Sequence, residues 1–369
     1  MRRTPTKRDY SLIGRDAEAA VANGLTAAEW YKTDIPRKRM KELMQRSDGP
    51  AIRDTIIWLA AFILFGAGGY FFWGTWWAVP FFICYGVLYG SSTDSRWHEC
   101  GHGTAFKTRW MNDVVYHVAC FMIMREPTIW RWSHTRHHTD TIIVGRDPEI
   151  ATMRPPAMLR ILSNIFAIAS TWAAIKKVLL HSTGRLDAEE RTFVPEMEWG
   201  KVFLVARIWL AVHVTVIGLA LWLHSWLPLM YVGVLPTIYG GWLAIYFGLT
   251  QHAGLAENVL DHRLNARTVY MNPVFRFLYW NMNYHVEHHM FPMVPYHRLP
   301  ELHEVMKADT PTPYASTIEA YREIVPALIR QMKDPEYYVK RELPPHARPY
   351  RPELHGEVIA APRSQADER

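Results

Sequence analysis

The sequence predicts an all-α membrane protein: about four transmembrane helices in two hairpins, carrying a cytoplasmic helical cap. Three observations predict it. Thr55 to Gly90 contains no charged residue. A second apolar block runs from Val202 to Thr250, with Arg207 as its one formal charge. All other Lys, Arg, Asp and Glu lie outside these two blocks.

The first block is 36 residues long. As a helix it would extend ~54 Å, too far for one crossing of a ~30 Å hydrocarbon core. It therefore divides, at Trp73-Gly74-Thr75-Trp76-Trp77, with Pro80 just beyond. The second block divides at His224-Ser225-Trp226-Leu227-Pro228, giving helices over roughly 203–223 and 229–250. Neither connection carries Lys or Arg, whereas residues 1–53 hold 12 Lys and Arg against 7 Asp and Glu. The positive-inside rule then puts both termini and the middle segment in the cytoplasm. The chain divides into a polar N-terminal segment (1–53), a membrane domain (54–300) and a cytoplasmic C-terminal segment (301–369). Met111–Met124 is apolar but too short to span and reads as interfacial or re-entrant. Met158–Leu180 mixes apolar residues with Arg160, Lys176 and Lys177, as an amphipathic interfacial helix does.

Composition agrees. Sixteen Trp and 18 Tyr suit a bilayer interface, where a ring sits half buried. Three cysteines, Cys84, Cys100 and Cys120, form no Cys-x-x-Cys pair, which excludes a thiolate zinc or iron–sulfur site. The net charge of +6 includes Arg37-Lys38-Arg39, read as lipid-facing charge beside a span and not as a nucleic-acid patch. No apolar run follows the basic N-terminus, so no cleaved signal peptide is expected.

Nine of the 18 histidines fall into a pattern. His98 and His102 come from HECGH, His134, His137 and His138 from HTRHH, and His285, His288 and His289 from HVEHH. His252 stands alone in TQHAGL. Residues i, i+3 and i+4 share one face of a helix, so each box can aim two or three imidazoles at one point. Eight clustered imidazoles plus His252 exceed the needs of one metal; two metals with four or five nitrogen ligands each would use them all. Imidazole suits iron, copper and zinc alike. HECGH also satisfies the His-Glu-x-x-His pattern of zinc peptidases, but that reading leaves two boxes unexplained. His117, His213, His224 and His262 read as packing or surface residues. Glu99, Asp140 and Glu287 lie beside or inside the boxes, where a carboxylate can fix a ligand's tautomer or be plain exposed charge. Asn281, one turn before His285, could orient a ligand or a bound water or be a plain helix-face polar residue, and Arg146-Asp147-Pro148-Glu149 reads foremost as a turn, with contact to a polar head group or carboxylate as the alternative.

With these motifs the sequence resembles the membrane fatty acid desaturase and hydroxylase superfamily, whose members show HxxxH, HxxHH and HxxHH boxes in this order. The resemblance covers roughly residues 55–300. Its most specific stretch is WNMNYHVEHHMFPMVPYHRLP, Trp280 to Pro300. It is nearest to bacterial members of the desaturase type, including rhizopine-catabolism oxygenases. The resemblance implies a di-iron centre, O2 as oxidant and a multi-pass protein of the bacterial inner membrane. It also implies a lipid or fatty acid substrate. His252 looks like the extra ligand carried between the second and third boxes. No fused haem or iron–sulfur domain is visible, so the resemblance calls for a separate ferredoxin-like or cytochrome-like donor and its reductase. Acyl-CoA desaturases of the stearoyl type place Asn one turn before the lone His, where this chain has Gly248. The expected activity is fatty acyl desaturation; hydroxylation of an alkyl chain or small molecule and oxidative decarboxylation to a terminal alkene share the same ligand spacing. A non-enzymatic metal-binding sensor is the remaining class.

Overall fold

The computed structural model describes residues 8–350, and within them the fold is helical with no β-strand. Two isolated bridges, Thr268 with Tyr284 and Val269 with Tyr314, tie down the segments around the third box.

Two helical segments, Arg37–Phe71 and Glu196–Trp222, are long and apolar enough to cross a membrane. Their cores are α1 (Asp48–Phe71) and α8 (Trp199–Trp222), 24 residues each. From Thr55 and from Ile208 onward neither carries a charge, and both leave large side chains uncovered, such as Ile63 at 72% exposure. An apolar helix surface of this kind suits lipid. Trp76, Trp77, Trp222 and Trp226 are exposed at the hairpin tips, where interfacial tryptophans belong.

The four-helix expectation is met in part, because the returning arms are broken. After α1 the chain comes back as α2 (Ala78–Gly86), a π turn over Val87–Ser91, and α3 (Ser92–Gly101). After α8 it comes back in three pieces: α9 (Leu227–Tyr231), α10 (Val234–Gly240) and α11 (Trp242–His252). Gly233 makes the first break at φ +91°, where a side chain would be strained. The reason for the second lies in packing. A Cβ on Gly240 would stand 1.8 Å from the carbonyl oxygen of Gly86, and one on Gly90 would stand 2.8 Å from Gly241 N. The two returning arms thus cross backbone to backbone through small residues, a contact typical of membrane helices.

Between the hairpins, α4 (Arg109–Met122) packs against α3, and α5 (Pro127–Thr139) carries the second box. Glu126 caps α5 by accepting from Ile129 N, and Pro127 occupies the first turn, where its missing N–H costs nothing. The single amphipathic helix expected over Met158–Leu180 is two, α6 (Met158–Asn164) and α7 (Ile168–Ser182), bent by 83°. Taken as one broken span they would make a third crossing. The bend falls at Ala167, at φ +51°. The third box forms the six-residue α12 (His285–Met290), every residue of which is buried.

Candidate metal centre

The nine histidines come together, in two groups that cut across the boxes. His98, His102, His134, His138 and His288 form one; His137, His252, His285 and His289 form the other. In each group the ligand atoms lie within 4.8 Å of one another. Helix geometry explains the division. At ~100° per residue, i+4 lies about 40° from i, whereas i+3 lies about 60° to the other side. So His134 and His138 face one group while His137 faces the other. In the third box His285 and His289 stay together and His288 crosses over. The expectation that a whole box aims at one point is corrected: each HxxHH box serves both groups.

The Nε2 atoms converge. His134 Nε2 lies 3.1 Å from those of both His102 and His138, and His138 Nε2 lies 3.2 Å from that of His288. In the second group His285 Nε2 lies 2.9 Å from His252 Nε2 and 3.0 Å from His289 Nε2.

Hydrogen bonds at the far side of the rings assign the tautomers. His137 Nδ1 donates to Asp147 Oδ2 at 2.8 Å, and His134 Nδ1 donates to Glu149 Oε2 at 3.0 Å. His252 Nδ1 donates to the Asn265 carbonyl at 2.6 Å. Thr141 Oγ1 commits its hydrogen to the His137 carbonyl, so it accepts from His289 Nδ1 at 3.2 Å. With Nδ1 protonated, the Nε2 atoms of these four neutral rings carry bare lone pairs. His285 Nε2, with one hydrogen at most, then faces two lone pairs. Hydrogen bonding among the rings alone leaves such a cluster unsatisfied, whereas a cation at the centre of each group satisfies it.

Electrostatics point the same way. Burial, then mutual repulsion, holds His134, His138, His285, His288 and His289 well below the usual imidazole range. His102 is pushed down to about 4 and His252 to about 3, again chiefly by burial. His137 is the exception: burial lowers it, but the charge and hydrogen bond of Asp147 outweigh burial and raise it. Metal ligands must be unprotonated, and burial holds all of these rings so except His137. A set of neutral imidazoles without thiolate fits a divalent first-row metal, iron included.

Two supporting carboxylates went unrecognised in the sequence. Asp147 and Glu149 sit in the predicted turn, yet they hold His137 and His134. Asp147 Oδ2 also accepts from Ile142 N and its Oδ1 from Glu149 N, each at 2.8 Å. Ser133 donates to Glu149, which burial pushes up to about 7. Of the carboxylates singled out in sequence, Glu99 alone approaches a grouped ring, with Oε1 3.5 Å from His288 Nδ1. Asp140 pairs with Arg146 and Arg136. Glu287 accepts from Thr268 and binds His303. Asn281 bonds Arg276 and the Tyr296 carbonyl, not His285. His262 is a packing residue, stacked on Trp30 with centroids 4.3 Å apart, and its ring lies 5.1 Å from that of His289. Gly248, one turn before His252, lines a small cavity that also touches His137 and His252.

Comparison with known proteins agrees with this geometry. The model of the fatty acid desaturase family matches residues 74–321, a span that contains all nine histidines. The chain is 24% identical over 229 residues to the Delta(5) fatty acid desaturase of Caenorhabditis elegans, covering 55% of this chain and 51% of the relative. It is 26% identical over 268 residues to the Delta(12) fatty acid desaturase of Calendula officinalis, covering 64% and 67%. A shorter match, 34% over 58 residues, links it to the sn-1 oleoyl-lipid 12-desaturase of Anabaena variabilis. The chain thus spans about half the length of the first relative and two thirds of the second. With most of its length and every grouped histidine inside the match, the chain belongs to the fatty acid desaturase family.

Proposed function

We propose that the nine histidines hold two iron ions, five ligands offered to one and four to the other, and that the protein is an O2-dependent fatty acyl desaturase. The observation that carries the reading is the sorting of nine buried imidazoles into two groups. When bound, iron would supply the O2 chemistry that oxidises an unactivated C–H bond, which no side chain can do alone. Desaturation removes two hydrogens from adjacent carbons and, with two electrons and two protons from a donor, reduces O2 to two waters. The electrons come from a separate ferredoxin-like or cytochrome-like protein.

The chain's own residues orient and enclose. Asp147, Glu149, Thr141 and the Asn265 carbonyl fix four rings with Nε2 inward. Such outer partners govern ligand basicity as well as direction. The burial of His137, His285, His288 and His289 keeps water out. A cavity of about 430 Å³ opens beside Ser133 and Asp147 and offers room for a substrate. The wider reading sets two hairpins in a bacterial inner membrane, with the charged segments and the metal centre on the cytoplasmic side.

The test is mass spectrometry of products from purified protein, given a donor system, C10–C18 fatty acyl substrates and isotopically labelled O2. The expected product is two hydrogens lighter and carries no label. A product that gains one labelled oxygen makes the enzyme a hydroxylase, and one a carbon shorter, with CO2 released, makes it a decarboxylase. No O2-dependent product of any kind from iron-loaded protein would overturn the reading.

A further inference from the structure

Three rings in contact lead from the metal centre to the surface. The innermost is His289, a member of the group of four. The His262 ring lies 5.1 Å from it, and the Trp30 ring lies 4.3 Å from His262 and within 8° of parallel. His262 is buried; Trp30 is half-buried and borders a surface hollow.

The segment that carries Trp30 is fastened to both HxxHH boxes. Trp30 Nε1 donates to the carbonyl of Thr139, the last residue of α5, at 3.0 Å. Thr33 N donates at 3.1 Å to Sδ of Met290, the last residue of α12. Tyr31 N donates at 2.9 Å to the carbonyl of Leu260, two residues before His262. The indole is thus held in register with the centre. π systems in contact couple electronically better than saturated side chains do, so the stack offers an electron a route between the surface and the metal group.

The surface at the outer end of this route is basic. Two hollows share Lys32 and Arg348; one reaches Trp30, and the other reaches Phe291, the residue after the third box. Their charged lining is Lys32, Arg37, Lys41 and Arg348 against Glu29 and Asp34. Arg348 takes Asp34 at 3.3 Å. Lys32, Arg37 and Lys41 are exposed and have no ion-pair partner among the described residues. Met40, Met44 and Phe291 line the same hollow as Arg37 and Lys41. Methionine and aromatic side chains beside unpaired cations suit a protein partner of opposite charge. A lipid headgroup would meet the charge and leave the ring stack without a role.

We propose that an acidic one-electron donor protein docks on this face, and that Trp30 and His262 couple it to the His289 group. The inference rests on the proposed oxidation, which takes two electrons from a separate protein in each turnover. Each docking passes one. The donor is oxidised by one electron, ferric iron held by the group is reduced to ferrous, and no bond forms or breaks. Trp30 and His262 begin and end unchanged.

The test separates docking from transfer. The probes are two acidic carriers, a 2Fe–2S ferredoxin and a b-type cytochrome, with full-length, iron-loaded protein in detergent. Binding is read by fluorescence anisotropy at low salt and at about 0.2 M salt. At least one carrier should bind the wild type, and the added salt should weaken it about tenfold or more. Lys32→Glu combined with Lys41→Glu should weaken low-salt binding by about tenfold as well. Transfer is read by stopped flow, as oxidation of saturating pre-reduced carrier by the ferric protein. Trp30→Leu should slow this step at least severalfold relative to reduction of the same variant by dithionite, which needs no docking. Trp30→Phe should recover most of the loss, and Trp30→Met replaces Trp30→Leu if the latter fails to fold. Binding of neither carrier, an unchanged affinity in the charge-reversal variant, or an unchanged transfer ratio in Trp30→Leu would each overturn the inference. So would a charge reversal that weakens binding to vesicles of anionic phospholipid and spares both carriers, since the face would then be a membrane contact. A labelled-O2 assay in parallel separates the two claims. Product formation driven by a carrier that ignores both Trp30 and the charge reversal defeats this inference only. Salt-sensitive docking and Trp30-dependent transfer, with no O2-dependent product from any chain, defeat the proposed oxidation and leave this inference standing.

Discussion

Replacing Asp147 by Asn isolates what holds the second box in place. Asp147 is fully buried and accepts three hydrogen bonds, from His137 Nδ1, Ile142 N and Glu149 N, each at 2.8 Å. Asn has the same shape but a single acceptor oxygen. Whichever way its amide turns, an N–H meets an N–H, so at least one bond is lost together with the carboxylate charge beside His137. A charge-assisted hydrogen bond of this kind is worth about 1.5–3 kcal/mol, and 1.4 kcal/mol corresponds to tenfold in an equilibrium constant. Iron affinity should therefore fall about 10- to 100-fold, the range usual for the partner of a liganding histidine. The assay is competition: purified wild type and variant are equilibrated with ferrous iron and graded chelator, and retained iron is measured. Asp140→Asn is the control, since Asp140 is buried nearby but pairs with Arg146 and Arg136. The reasoning fails if Asp147→Asn folds and keeps iron within twofold of wild type, or if Asp140→Asn loses as much.

Other expectations follow from the same geometry. Gly240→Ala should destabilise the fold by about 1–3 kcal/mol or more, because its Cβ would fall 1.8 Å from Gly86 O; thermal unfolding in detergent checks this, with Gly218→Ala, which meets nothing within 4 Å, expected to be silent. In spheroplasts or intact cells, a cysteine at Thr75 should label from outside and one at Lys333 only after permeabilisation; labelling of both from one side would refute the two-hairpin topology. Glu287→Gln should leave iron affinity near wild type, since Glu287 binds Thr268 and His303 and touches no grouped ring; chelator competition reads this directly.

The parts of this protein legible in its sequence are those that repeat a rule along the chain. The uncharged block from Thr55 to Gly90 gave away α1 and its return, and the i, i+3, i+4 spacing gave away eight of the nine grouped histidines, His252 coming from the family resemblance alone. Tertiary crossings stayed hidden. Nothing in the local pattern around Gly86 and Gly240 says that their backbones touch, yet that contact breaks the returning arm into α10 and α11. Asp147 and Glu149 were passed over for a related reason. They lie 10 and 15 residues beyond the histidines they hold, in a stretch whose Asp-Pro pair reads locally as a turn. Asp140 and Glu287, adjacent to the boxes in sequence, point elsewhere in space. The exchange of His137 and His288 between groups was recoverable from helix angles alone, since i+3 and i+4 fall on opposite sides of i.

The most direct test is the metal content of the purified protein and of a variant from each group. Elemental analysis of the wild type should give two irons per chain. The double variant His285→Ala, His289→Ala removes half the group of four and spares the group of five. It should retain about one iron, as should the reverse design, His98→Ala with His102→Ala. A wild type that is active with zinc and without iron, or one that binds a single metal lost whole in both variants, would contradict the account.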